Sequence, residues 1–354
     1  MRKKVRTYCF LSGLVVFPFL FIYLSNNEKK RVDLFIKGVN LEAPPSPFDS
    51  MALKNIKDIQ ANWISIIPYA FTSTESPRVY FDGKRQWWGE KSEGVVASVE
   101  MAQQLGLSVM IKPHLWVKGQ GWAGDFVPDD EEKWLIWEES YQKYMLNYAK
   151  IAAKYQVPLL CIGTECRKSA ISRSFFWKNL IARVREIYPG QLTYAANWDN
   201  YRHITFWDQL DFIGIDAYFP LGNQKTPSVS QLNEYWKQPY EEIRQLSKKV
   251  DKPVIFTEYG YKSIDYATIG HWKVNPDTLS VNMDGQLNAY ESIYQTFWYE
   301  PWFKGGFLWK WHIYESGKRR NVNSGFTPQN KPVIQVIQKW FRDAQPKKKK
   351  QWSG

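Results

Sequence analysis

Eight short apolar runs punctuate residues 34–311, and a polar or amphipathic stretch follows each of them. The runs are Leu34–Asn40, Trp63–Pro68, Ser108–Pro113, Leu159–Thr164, Leu192–Asn197, Phe212–Ala217, Val254–Thr257 and Gly306–Trp311. Their length and their β-branched and aromatic content suit strands. Apolar residues at helical spacing predict helices over Met51–Gln60, Gly94–Leu105, Glu131–Lys154, Arg173–Ile187, Gln231–Lys249, Asn282–Tyr299 and Val333–Asp343. The fifth gap is short and holds only Ile204–Leu210. Strands that alternate with helices pair in parallel. Eight such units without an internal linker predict an α/β fold, a single-domain (β/α)8 TIM barrel. The alternative is a doubly wound open sheet. That fold places a glycine-rich phosphate turn after its first strand, and Gly38-Val39-Asn40-Leu41 is not one.

The net charge of +12 resembles that of a nucleic-acid-binding protein until it is located. Residues 1–31 hold +6 and Lys347–Lys350 hold +4, so residues 32–345 carry only +2. A near-neutral body argues against nucleic acid. The charge at the N-terminus flanks an uncharged apolar run, Tyr8–Leu24, near the lower length limit for crossing a bilayer. Arg2, Lys3, Lys4 and Arg6 before it favour a cytoplasmic N-terminus. The expected organisation is a signal anchor or signal peptide with basic flanks (1–31), a folded body (32–345) and a basic tail (346–354). The body is expected on the exported side, tethered to the membrane or secreted after cleavage, as a monomer.

Long stretches follow several strands: Tyr69–Glu93, His114–Asp130, Phe219–Ser230 and Gly260–Ser280. In a barrel they all fall on the C-terminal rim, where sites are built. They carry Trp87, Trp88, Trp116, Trp122 and Trp272. With 17% aromatic residues the chain has more rings than a core requires, which suggests an aromatic cleft. A merely aromatic-rich core is the plainer alternative.

Two carboxylates stand at strand ends on this rim. Glu165 leaves the fourth strand and Glu258 the seventh. These strands lie three apart around a ring of eight, so their side chains can converge across the mouth. Facing carboxyls serve glycoside hydrolysis, one as acid/base and one as nucleophile, about 5–5.5 Å apart when configuration is retained. Either Glu alone could be a solvated loop residue; the pair on these two strands is harder to explain that way. Tyr218, at the sixth exit, is placed to donate to the nucleophile, and Trp309, on the eighth strand, to stack under a sugar. Asp216 lies inside an apolar run and reads as buried and hydrogen-bonded.

These residues resemble the clan of (β/α)8 retaining glycosidases with catalytic glutamates after strands four and seven. Within it, IGTE (Ile162–Glu165), KPHLW (Lys112–Trp116) and FTEYGY (Phe256–Tyr261) are similar to glycoside hydrolase family 113, a family of β-1,4-mannanases and related mannan-degrading enzymes. The similarity runs from about Phe35 to Arg342. It implies Glu165 as acid/base and Glu258 as nucleophile. It also implies substrate contacts from His114 and Trp116 at the third exit, Asn197 and Trp198 at the fifth, and Tyr218 and Trp309. The clan commonly has Asn before its acid/base, binding the sugar 2-hydroxyl. Here that position is Thr164, which leaves the contact unassigned.

Other residues stay open between two roles. Lys112 meets a sugar hydroxyl or forms an ion pair inside the barrel. Asn40 binds a hydroxyl or caps a turn. Trp87 and Trp88 wall an outer subsite or pin their loop. His203, His271 and His312 have no metal-ligand spacing, and the reaction needs no metal, so no cofactor is expected. Cys161 and Cys166 read as small core residues that do not pair. The predicted activity is retaining hydrolysis of β-1,4-linked mannose-containing oligo- or polysaccharides. A glycosidase for another β-linked hexose and a non-catalytic carbohydrate-binding barrel are the alternatives.

Overall fold

The eight apolar runs form eight strands: β1 (Ile36–Leu41), β2 (Trp63–Ile66), β3 (Ser108–Ile111), β4 (Leu159–Thr164), β5 (Gln191–Asn197), β6 (Ile213–Asp216), β7 (Val254–Tyr259) and β8 (Phe303–Trp311). Each pairs in parallel with the next, and β8 pairs with β1 to close the barrel. The computed structural model describes residues 35–273, 278–313 and 323–344. The apolar run Tyr8–Leu24 and the basic tail lie outside them. Among the described residues no helix is long and apolar enough to cross a membrane.

Strand pleating sorts the side chains into two cores. One set, Ile36, Trp63, Met110, Leu159, Cys161, Ala195, Phe212, Ile255 and Phe307, draws on the track of every strand and fills the barrel interior. Two or four residues further along the same strands, the same parity yields Asn40, Ser65, Lys112, Asn197, Asp216, Thr257 and Trp309. The barrel thus changes from an apolar floor to a polar layer as it approaches its C-terminal mouth. The alternate set, including Val39, Ile64, Val109, Leu160 and Ile215, faces outward into the larger core beneath the helices.

Eight α-helices complete the described fold: α1 (Lys54–Asp58), α2 (Ser92–Gln104), α3 (Glu131–Lys154), α4 (Arg167–Ser172), α5 (Ser174–Ile187), α6 (Val229–Val250), α7 (Met283–Phe297) and α8 (Val333–Asp343). Between β5 and β6 there are only two single-turn 3-10 segments, Tyr201–His203 and Trp207–Gln209, as the short gap predicts. The predicted Met51–Gln60 helix is broken. Asp49 caps a 3-10 turn at Ser50–Leu53 before the brief α1. On α3, the helical spacing of Trp137, Tyr141, Tyr144 and Tyr148 lays a buried aromatic stripe against the barrel. The aromatic surplus therefore serves both the core and the cleft. Cys161 and Cys166 are buried free thiols.

The loops after β2 and β3 hold a structure the apolar pattern does not announce. Tyr69–Thr72 pairs in parallel with His114–Val117, which turns back antiparallel onto Gly121–Trp122. This small sheet fixes one wall of the barrel mouth.

Gly38 sits in β1 where a Cβ would lie 2.3 Å from the Phe307 ring inside the barrel. Gly38→Ala should destabilise the fold by about 1–3 kcal/mol through overpacking. The check is the urea midpoint. It should fall in the single variant and recover in part when Phe307→Leu is added; an unmoved midpoint would contradict this packing.

Candidate active site

Glu258 reaches the barrel mouth through a defect in strand pairing. The β6–β7 register steps from Ile215↔Phe256 to Asp216↔Glu258, so β7 uses two residues where β6 uses one. Such a bulge re-aims the following side chain. Thr257 and Glu258 consequently both serve the interior. The Thr257 hydroxyl donates to Asp216 Oδ1 at 2.7 Å. Glu258 takes Lys112 Nζ at Oε1 and the Tyr218 hydroxyl at Oε2, the latter at 2.6 Å.

Lys112 is fully buried beneath the cleft and also contacts Asp216 Oδ1 at 3.1 Å. Burial works against its charge, but Asp216 and Glu258 overcome that and push its pKa up to about 12. Asp216, equally buried, is pushed up to about 7 by burial and by the Glu258 charge, with Lys112 pulling the other way. Burial and the Glu258 charge drive the Tyr218 phenol well above its usual range, so it stays a donor. His114 Nε2 lies 3.6 Å from Glu258 Oε1. Burial and then the Lys112 charge hold this imidazole well below its usual pKa, hence neutral.

Glu165 is delivered by a second irregularity. Between Cys161 and Thr164, β4 runs three residues against two in β5. Glu165 then takes a left-handed backbone conformation, φ 49°, with its N–H donating to Ala195 O at 2.8 Å. That conformation is unfavourable for a residue with a Cβ, and such strain collects at functional sites. The carboxyl accepts the Trp122 indole N–H at Oε2 over 2.6 Å. Burial in the cleft, then the charges of Asp216 and Glu258, push its pKa well above the carboxylate range. Part of the side chain stays open to the cleft, where water screens these charges without abolishing them. One carboxyl clamped by a cation and a phenol, and a facing one held toward its protonated form, are the two states that acid/base and nucleophile require.

A cleft of about 690 Å³ joins these groups. Of the residues singled out in the sequence, Glu165, Glu258, His114, Trp116, Asn197, Trp198, Tyr218 and Trp309 all line it. Trp309 stacks parallel on His114, 6.0 Å between ring centres, and Trp198 stacks on Trp272 at 5.4 Å. The Trp309–Lys310 peptide is cis. Asn197 Oδ1 and His114 Nε2 are buried without a hydrogen-bond partner among the described residues.

Two expected substrate contacts are corrected. Asn40 and Lys112 are wholly buried and do not line the cleft. The Asn40 amide donates to Thr257 O at 3.0 Å and Phe307 O at 3.2 Å, tying β1 to β7 and β8. Lys112 is the ion pair inside the barrel rather than a sugar contact. Thr164 is also settled structurally: it is buried, and its hydroxyl donates to Pro113 O at 3.1 Å. Tyr69, Arg167, Asp199 and Phe326, which no strand-end pattern marks as site residues, also line the cleft, as do Trp122 and Trp272 of the long loops. Arg167 lies over the Trp122 ring at 5.1 Å and pairs with Asp125 and Asp199. The exposed tryptophans of the long loops were the available signal for Trp122 and Trp272.

Lys112→Met leaves two buried carboxylates without their cation, a loss of about 3–5 kcal/mol. Without the lysine's opposing pull the buried Asp216 carboxyl is pushed further up, so the deficit against the parent should shrink as pH falls and Asp216 is protonated. Denaturant unfolding at several pH values measures it; a deficit independent of pH would contradict the buried cluster.

Among solved structures the chain is similar to the family 113 β-mannanase of Alicyclobacillus acidocaldarius in complex with ManMIm, with TM-score 0.76, 24% identity, and coverage of 88% of this chain and 98% of that one. A β-1,4-mannanase complex of the same family gives TM-score 0.75 at 24% identity, covering 88% and 99%. A Ruminococcus gnavus β-glucuronidase gives 0.61 at 12% identity, covering 87% of this chain and 50% of that one. At these identities the likeness shows the barrel fold. No curated protein matches the sequence. The family model described as Glycoside Hydrolase Family 113 matches residues 46–331, most of the described body, and the chain belongs to that family of glycoside hydrolases.

Proposed function

We propose that this glycoside hydrolase cleaves β-1,4-linked mannose-containing chains with retention, using Glu165 and Glu258. The observation that carries the reading is the unequal treatment of the two carboxyls at one cleft. Glu258 is clamped by Lys112 and Tyr218, while Glu165 is pushed toward its protonated form. Similarity to solved mannanases supports the choice of mannose.

In the first step Glu165 gives its proton to the glycosidic oxygen, and a Glu258 oxygen attacks the anomeric carbon. The leaving chain departs with the proton and an ester links sugar to Glu258. Lys112 and Tyr218 hold the attacking carboxyl in place and limit its rotation. In the second step Glu165, now a carboxylate, takes a proton from water as the water attacks the same carbon and frees Glu258. Trp309 offers an apolar face to the ring. Asn197, whose Oδ1 has no partner among the described residues, and neutral His114 supply polar contacts to hydroxyls. Thr164 is spent on Pro113, so the 2-hydroxyl is read from elsewhere in the cleft. The basic-flanked run Tyr8–Leu24 supports placing the barrel at a membrane, on the exported side.

Product analysis on β-mannan, glucomannan and β-glucan oligosaccharides tests the substrate. Cleavage of mannose-containing chains is expected, and Glu258→Ala should lower it by on the order of 10⁴-fold without unfolding the barrel. Cleavage of glucan alone would point to another β-linked hexose; a folded Glu258→Ala with normal turnover would remove Glu258 from the reaction.

The pH profile tests the acid. Turnover needs protonated Glu165, so kcat/KM should fall as pH rises through its raised pKa. The Trp122 N–H favours the ionised form, so Trp122→Phe should raise that pKa further and move the alkaline limb to higher pH. A limb that stays put, or moves to lower pH, would contradict the assignment.

A further inference from the structure

Glu165 takes its one side-chain hydrogen bond from a ring at the edge of the fold. Trp122 is 36% exposed and sits on a two-residue strand of the small sheet, yet its indole N–H meets Glu165 Oε2 at 2.6 Å. An exposed side chain keeps such a geometry only where its rotation is restrained by its surroundings. Arg167 is in place to restrain it. Its guanidinium lies over the Trp122 ring, 5.1 Å from the ring centre. We propose that Arg167 is a positioning residue for the acid, holding the Trp122 indole against the Glu165 carboxyl. The proposal rests on the reading of Glu165 as proton donor and adds the residue that fixes its geometry.

Three observations carry it. The first is that clamp and acid share one segment. Arg167 opens α4 two residues after Glu165, and its backbone N–H donates to Glu165 O at 2.7 Å. The guanidinium is thus referenced to the same backbone as the carboxyl it serves.

The second is that the guanidinium is held at both ends. Nη1 donates to Asp199 Oδ2 at 2.8 Å, in the loop after β5, and Nη2 donates to Asp125, just beyond Trp122. Lys168 N–H donates to Gly124 O at 3.0 Å and staples that loop to α4. A planar fork fixed in this way presents a defined face to an aromatic ring. Both aspartates are partly exposed, so the ion pairs add little stability. What they determine is orientation.

The third is that the loop makes room for the ring. Gly124 is buried, and a Cβ there would lie 2.1 Å from the Trp122 ring. Any larger residue would displace the indole from the acid.

The surrounding charges give the effect a sign. Glu165 faces Asp216, Glu258 and Lys112, with the phenols of Tyr69, Tyr194 and Tyr218 and the Cys166 thiol around it. Burial, Asp216 and Glu258 favour its protonated form; Lys112 and the Trp122 N–H favour the ionised one. Removing Arg167 loosens that N–H and leaves Asp125 and Asp199 without their cation. Both changes make Glu165 hold its proton more tightly.

The experiment compares the parent with Arg167→Gln, Arg167→Lys and Gly124→Ala on aryl β-mannosides whose leaving phenols span a range of pKa. A displaced acid costs most where the leaving group needs the proton and least where it does not. In Arg167→Gln the deficit in kcat/KM should therefore grow with phenol pKa, by roughly tenfold across the series, and the alkaline limb should move to higher pH. Gly124→Ala moves the ring by another route and should give the same pattern. Arg167→Lys keeps the charge without the planar fork and should fall between Arg167→Gln and the parent. A deficit equal for every phenol with an unmoved limb would mean a merely structural role and overturn the proposal, as would variants that match the parent. If the parent turns over no aryl mannoside, the mannoside reading fails. The Glu165 carboxyl is then titrated directly by carbon NMR of carboxyl-labelled glutamate, with Glu165→Gln assigning its resonance. A pKa higher in Arg167→Gln and Gly124→Ala than in the parent still supports the proposal; an unshifted one overturns it.

Discussion

A single buried ammonium group organises the mouth of this barrel. Lys112 has no access to water, so its charge is tolerable only beside anions, and the fold supplies Asp216 and Glu258. Each of these carboxylates would be as costly without the lysine. The cluster is therefore mutually dependent. It joins β3, β6 and β7 across the barrel interior, with Thr257 bonded to Asp216 and Asn40 bonded to the Thr257 carbonyl. The polar layer is possible because the apolar layer below it already closes the barrel. Its arrangement leaves Glu258 one direction in which to face, upward into the cleft.

Regular β geometry alone would not produce this. Strand alternation places every second residue inside, and a perfect β7 could not devote both Thr257 and Glu258 to the interior. The pairing irregularities in β7 and β4 solve the same problem on two strands. Each adds a residue where the strand leaves the barrel and turns a carboxyl toward its counterpart. In β4 the cost is visible as the left-handed backbone of Glu165.

Much of this was legible in the sequence because burial leaves a periodic trace. All eight strands stand out as apolar runs, and Glu165, Glu258 and Tyr218 are conspicuous as polar residues that end such runs. Trp309 and Asn197 were legible on the same grounds. What failed was depth. Asn40 and Lys112 also end apolar runs, but they sit one layer below the cleft, and nothing in a linear pattern distinguishes a residue at the mouth from one beneath it. The small sheet was hidden for another reason. Tyr69–Thr72 and His114–Val117 pair with each other rather than with the barrel, and a three-stranded patch half open to water carries little hydrophobic signal. Trp122 follows from that sheet, since its reach to Glu165 depends on the turn that brings Gly121–Trp122 back onto Trp116–Val117.

That small sheet has a consequence for how the cleft can vary. Main-chain ladders lock Tyr69, His114, Trp116 and Trp122 into one rigid panel. The panel lines the cleft with Tyr69, His114 and Trp116 and holds the Glu165 carboxyl through Trp122. A change in any of its turns would tilt the aromatic wall and the Glu165 contact together. Divergence of preference on this flank is thus easier by replacing the whole panel than by retouching its members one at a time.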